Sequence, residues 1–88
     1  MAKKNTKFEI NEAGTKFWYN SKGQYHRDDG PAAEYANEYR EWYQNGKNHR
    51  LEGPAIIYKD RKKCWSINDK RLTKEEFNSW KKRIQKFV

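Results

Sequence analysis

The chain has little of what usually holds a small protein together. Its 88 residues include one cysteine, Cys64, so no intramolecular disulfide can form. A single thiol suits a reducing compartment. Both prolines follow a glycine, in Gly30-Pro31 and Gly53-Pro54. Long apolar runs are missing. The longest, Ala55 to Tyr58, is far too short to cross a bilayer. The opening "MAKKNTKFEI" has lysines but no apolar core behind them, so no secretory signal is expected. Aliphatic side chains are scarce and the mean hydropathy is −1.46. Low hydropathy with high charge ordinarily favours disorder.

Aromatic residues argue the other way. Four Trp, six Tyr and four Phe are present, and each aromatic side chain buries a large area. A single domain, residues 1–88, is expected from the length. A domain this small buries only about 60–65% of its unfolded surface, so these rings must carry the core.

The net charge of +8 is unevenly placed. Residues 1–16 carry four basic and two acidic side chains, and residues 17–58 carry five and six. Residues 59–88 carry eleven basic and four acidic, a net +7. The last third holds nearly all of the excess.

A repeat accounts for the nearly neutral middle. "WYNSKGQYHRDDGPAAEY" at 18–35 returns as "WYQNGKNHRLEGPAIIY" at 42–58. Trp18, Trp42 and Trp65 lie 24 and 23 residues apart, and the two Gly-Pro-Ala segments lie 23 apart. The first unit has one extra residue in its turn. A third unit begins at "CWSINDK" and then diverges. A period in the twenties marks stacked supersecondary units, because one hairpin cannot bury its own face. Each unit reads as a hairpin. Trp-Tyr ends a strand, and Asn45-Gly46 suits a tight turn because both residues accept positive φ. Gly30 and Gly53 are expected to take backbone angles closed to other residues. The proline after each fits the first position of a strand. A further strand at Phe8–Ile10 should pair with Lys16–Tyr19. The predicted fold is mostly β, an antiparallel meander, with an N-terminal strand and arm over 1–16 and two and a half hairpin units over 17–72.

Residues 73–88 read as a basic amphipathic helix. Thr73 with Glu76 is a capping box. Phe77, Trp80, Ile84, Phe87 and Val88 then fall on one stripe. That stripe is expected to cover one face of the sheet and cap the open array.

The pattern W-Y-x-N-G-K-x-H-R-x-x-G-P-A with its 23-residue period resembles a variant of the MORN repeat. It is closest to the arrays of small tailed-bacteriophage proteins, and the likeness covers residues 17 to about 72. The resemblance implies hairpins stacked into one sheet and a binding or scaffolding role. It also implies residence in the cytoplasm of an infected bacterium.

Several residues are candidates for function. His26-Arg27 and His49-Arg50 occupy equivalent positions. They either contact a ligand in register or pack over the neighbouring Trp and satisfy turn carbonyls; belonging to the repeat itself favours packing. No pair of His or Cys has zinc-type spacing, even with Asp28 or Asp29 added. No P-loop or Gly-x-Ser-x-Gly occurs, and Asp28-Asp29 reads as a turn before Gly30. The chain is therefore read as non-enzymatic and without a cofactor. Tyr19 and Tyr43 should face away from the helix, either as a stacking platform for bases or as cross-strand aromatic pairs.

The basic third is the most informative feature. It contains Lys59, Arg61, Lys62, Lys63, Lys70, Arg71, Lys74, Lys81, Lys82, Arg83 and Lys86. Glu75 and Glu76 oppose them only in the first helical turn, where the helix dipole favours acids. A helix lying along the sheet would gather the cations into one positive face. Such a face attracts phosphates; it also resembles the solvated surface of many soluble helices. RNA is the expected partner, since outward aromatics suit unstacked bases, with DNA second. By analogy with phage biology, the protein would inhibit a host defence or toxin nucleoprotein. The alternative is an inhibitor or scaffold that docks on an acidic host protein surface. Membrane attachment is not expected, because the sheet needs the helix stripe. A homodimer is expected to be available to an array with no N-terminal cap.

Overall fold

The computed structural model of the chain describes residues 7–85. It is mostly antiparallel β with one C-terminal helix. The strands are β1 (Lys7–Ile10), β2 (Lys16–Tyr19), β3 (Ala33–Glu34), β4 (Arg40–Glu41), β5 (Tyr43–Gln44), β6 (Lys47–Asn48), β7 (Ile56–Ile57), β8 (Lys63–Ile67) and β9 (Lys70–Leu72), followed by α1 (Lys74–Gln85). The main sheet runs β1-β2-β3-β4-β7-β8-β9, a meander in which β5–β6 projects as a separate hairpin. The expected N-terminal pairing is present, with Phe8 opposite Trp18 and Ile10 opposite Lys16.

The period of 23 is visible in the hydrogen bonds. Ala32 and Ala55 each bridge the chain segments around two successive Trp residues. The Ala32 carbonyl accepts Trp18 N–H at 2.9 Å, while its own N–H donates to the Glu41 carbonyl at 2.8 Å. One unit later, the Ala55 carbonyl accepts Trp42 N–H at 2.8 Å, and Ala55 N–H donates to the Cys64 carbonyl at 2.7 Å. Both alanines have no exposed surface. Neither has free surface into which a larger side chain could grow.

The turns repeat as well. Asn45-Gly46 has φ of 50° and 82°, the left-handed pair expected of a tight hairpin turn. Asn68-Asp69 in the divergent third unit has φ of 49° and 70°. Asp tolerates that region less readily than Gly. Its Oδ1 compensates by accepting Asn48 N–H at 2.7 Å.

The molecule is a thin slab, 43 × 35 × 17 Å. Its buried apolar residues are Ala32, Ala33, Ala55, Ile56 and Phe77. The helix covers the sheet at its C-terminal end. Its packing partners are β8 and β9, so it caps the end of the array. The reason is length: 12 residues span about 18 Å, well short of the long axis of the slab. The capping box forms as expected. Glu76 Oε1 accepts Thr73 N–H at 2.8 Å, and Thr73 Oγ1 accepts Glu76 N–H at 3.0 Å. Along the stripe, Phe77 is buried, Trp80 half-buried and Ile84 40% exposed. Phe87 and Val88 lie outside the described residues. Among the described residues, no helix is long and apolar enough to cross a membrane.

Candidate nucleic-acid interface

The most repeated polar residues turn out to be structural. The Arg27 guanidinium lies 3.8 Å over the Trp18 ring, and that of Arg50 lies 4.0 Å over Trp42. Arg27 Nη1 donates to the Pro31 carbonyl and Arg50 Nη1 to the Pro54 carbonyl, both at 3.1 Å. The histidines join consecutive units. His26 Nδ1 accepts Asn45 N–H at 3.0 Å, and His49 Nδ1 accepts Asn68 N–H at 3.1 Å. Each unit's imidazole thus holds the turn of the next one. Burial lowers the His49 pKa below the ordinary imidazole value, which favours the neutral form this bond requires.

The glycines before the prolines need a different explanation from the one expected. Positive φ among glycines occurs at Gly14, Gly23 and Gly46, not at Gly30 or Gly53. A Cβ at Gly30 would lie 2.9 Å from Arg27 Cζ. Glycine is needed there because the stacked arginine occupies the space a side chain would take. Gly53 is similar, with Arg50 Nη1 at 3.3 Å from the same hypothetical atom.

Tyr19 and Tyr43 belong to an aromatic network on the sheet. Tyr25 joins them, with ring centroids 5.3 Å from each. Farther along, Tyr39 joins Tyr35 at 5.1 Å to Tyr58 at 5.4 Å. These are the cross-strand pairs of a half-buried face. Carboxylates stand among them. Glu41 accepts the Tyr39 hydroxyl at 2.6 Å. Burial, with the Glu41 charge and hydrogen bond behind it, pushes the Tyr43 pKa up to about 12. Burial and Glu9 raise that of Tyr19. This face therefore carries mixed charge, with Glu41 among its rings and Arg71 beside Tyr58 at its C-terminal end.

The cations do gather at the C-terminal end, on three elements. Lys59, Arg61 and Lys62 occupy the β7–β8 turn and Lys63 starts β8. Lys70 and Arg71 lie on β9, and Lys74, Lys81, Lys82 and Arg83 on α1. All are exposed except Lys81, which is half-buried with its Nζ 5.9 Å from the Phe77 ring centroid. Among the described residues, one of these cations forms an ion pair, Lys62 with Asp60 at 3.9 Å. Lys86 lies outside the described residues.

They do not form one face, as the sequence reading required. Neighbours on a strand point to opposite sides. Arg71 lies beside the Tyr58 hydroxyl, on the aromatic side. Lys70 lines a groove between the last hairpin and the helix. This groove, about 530 Å³, is lined by Ile67, Lys70, Leu72, Glu75, Glu76, Ser79, Trp80 and Arg83. Ile67, Leu72 and Trp80 give it an apolar wall, with Lys70 and Arg83 as its cations. Trp80 had been read only as part of the packing stripe. Its place one helical turn after the buried Phe77, at the edge of that stripe, is the signal that could have marked it.

Compared with protein-family models, with curated proteins and with solved structures, the chain matches none. Its chemistry is therefore read from its own residues. Among the described residues, no cluster of three or more His, Cys, Asp or Glu could hold a metal ion.

Proposed function

We propose that the protein is a non-enzymatic binder of single-stranded RNA and that its C-terminal end forms the binding surface. The observation that supports this reading is the groove between β8–β9 and α1. It combines a half-buried aromatic and aliphatic wall with the exposed cations Lys70 and Arg83, beside Glu75 and Glu76, at the basic end of the molecule. Mostly apolar concavities with a few convergent polar groups are the usual form of a ligand site. An unstacked base lies against Trp80, and its flanking phosphates meet Lys70 and Arg83. Duplex DNA fits less well, because stacked bases cannot enter such a groove. In the phage setting implied by the repeat resemblance, such a protein would occupy RNA that a host nucleoprotein needs.

The test is fluorescence-anisotropy titration with a short single-stranded RNA at several salt concentrations. Each phosphate contact contributes a slope of about −0.7 in log K against log salt. Reversing Lys70 and Arg83 to Glu should weaken binding and flatten the slope by about 1.4. Trp80→Leu should cost about 5- to 150-fold with the slope unchanged, the range for one stacked base. No binding at about 50 mM salt would reject the reading and turn the search to acidic protein surfaces.

A further inference from the structure

Among the described residues, nothing pairs with the N-terminal edge of the sheet. β1 is the terminal strand, and all four of its residues are exposed. Its hydrogen-bond phase follows from the turn after it. Asn11 N–H donates to the Thr15 carbonyl at 3.0 Å, which makes Asn11 and Thr15 a hydrogen-bonded pair. Bonded and non-bonded pairs alternate in an antiparallel ladder. Glu9 and Lys7 therefore direct their backbone groups toward β2. Phe8 and Ile10 direct theirs outward, where no partner takes them among the described residues. The same two residues expose large apolar side chains, 51% and 57%. An edge with free backbone groups and apolar side chains is a template for another strand.

The charges select which strand. We infer that β1 pairs antiparallel with β1 of a second copy, about a twofold axis perpendicular to the sheet and midway between the two Phe8 residues. In that register, Phe8 faces Phe8 of the second copy and they exchange two N–H···O=C bonds. Lys7 faces Glu9 of the second copy, and Glu9 faces its Lys7. The register centred on Glu9 would place two carboxylates directly opposite, which is destabilising. The register centred on Ile10 would set Phe8 against Glu12. The Phe8-centred pairing is self-complementary, as an isologous interface must be. It continues the meander from one copy into the next and places the two C-terminal ends at opposite extremes of one sheet. A four-residue contact is small, so the dimer is weak and transient.

Sedimentation equilibrium from about 10 to 500 µM tests this. The wild-type chain should be in monomer–dimer exchange over that range. Lys7→Glu or Glu9→Lys alone sets like charges opposite each other twice and should weaken the dimer about ten-fold. The double swap, Lys7→Glu with Glu9→Lys, restores opposite charges and should return the Kd to within about three-fold of wild type. The far-ultraviolet spectrum of each variant checks that the fold persists. A wild-type chain that stays monomeric at the highest concentration overturns the inference. So does a dimer unmoved by the single reversals, or one that the double swap fails to restore.

Discussion

Replacing Gly30 with alanine separates two explanations of the Gly-Pro-Ala motif. The new Cβ would lie 2.9 Å from Arg27 Cζ and 3.1 Å from both Nε and Nη1. The backbone at Gly30 lies outside the left-handed region, so alanine costs nothing there by conformation. The arginine end is flexible and yields. In yielding it leaves the Trp18 ring, 3.8 Å away. It also loses the Pro31 carbonyl and Glu34, each at 3.1 Å. The stacking is worth about 0.5–2 kcal/mol. The carbonyl bond is worth about 0.5–1.5 kcal/mol, and the partly exposed ion pair about 0–1. These do not all vanish together, so Gly30→Ala should destabilise by about 1–3 kcal/mol. Urea unfolding followed by tryptophan fluorescence measures it. The decisive comparison is in an Arg27→Ala background. There the alanine meets empty space, and the double variant should match Arg27→Ala within about 0.5 kcal/mol. Costs that simply add would refute the stacked-arginine explanation and return the glycine to a backbone role. Gly53→Ala should be milder, because its nearest neighbour, Arg50 Nη1, lies at 3.3 Å.

Two further outcomes follow from the joints of the array. His49 is held below its ordinary pKa by burial and accepts a hydrogen bond only when neutral. As pH falls through about 6.5, the unfolded chain takes up a proton that the folded chain resists, so stability falls. His49→Leu, which installs the residue found at the equivalent position 72, should reduce the drop in unfolding midpoint between about pH 7.5 and 5.5. An undiminished drop would place the pH sensitivity elsewhere. Thr73→Ala removes the oxygen that accepts Glu76 N–H and should cost about 0.5–2 kcal/mol, with reduced helical circular dichroism. Unaltered stability would mean that packing of Phe77 alone fixes the start of the helix.

Much of the fold was legible because local chemistry and the repeat agree. Asn45-Gly46 specifies a turn by itself, Thr73 and Glu76 specify a helix start, and Phe8–Ile10 pairs with Lys16–Tyr19 as expected. The packing of the arginines over Trp was legible too, since it belongs to the repeat; the histidines, expected to satisfy turn carbonyls, accept turn N–H groups instead. Their partners were not legible. Asn45 and Asn68 lie 19 residues beyond His26 and His49, and a backbone N–H leaves no mark in sequence. Gly30 was assigned to the right segment for the wrong reason, because the space it leaves is filled by a side chain from three residues earlier. The basic end was visible as a charge excess. Its division into two sides was not, since that depends on the register that sends Lys70 and Arg71 opposite ways. The groove beside Trp80 exists only once the helix is seated on the last hairpin, a non-local contact.

The proposed RNA contact is most directly tested by photocrosslinking. A short single-stranded RNA carrying 5-bromouridine would be irradiated with the protein at about 50 mM salt, where electrostatic binding is strong. The crosslinked peptides would then be identified by mass spectrometry. The groove predicts attachment at Trp80, lost in competition with unlabelled RNA and reduced by reversing Lys70 and Arg83. Attachment instead at Tyr19, Tyr25 or Tyr43 would contradict this account and move the binding surface to the aromatic face of the sheet.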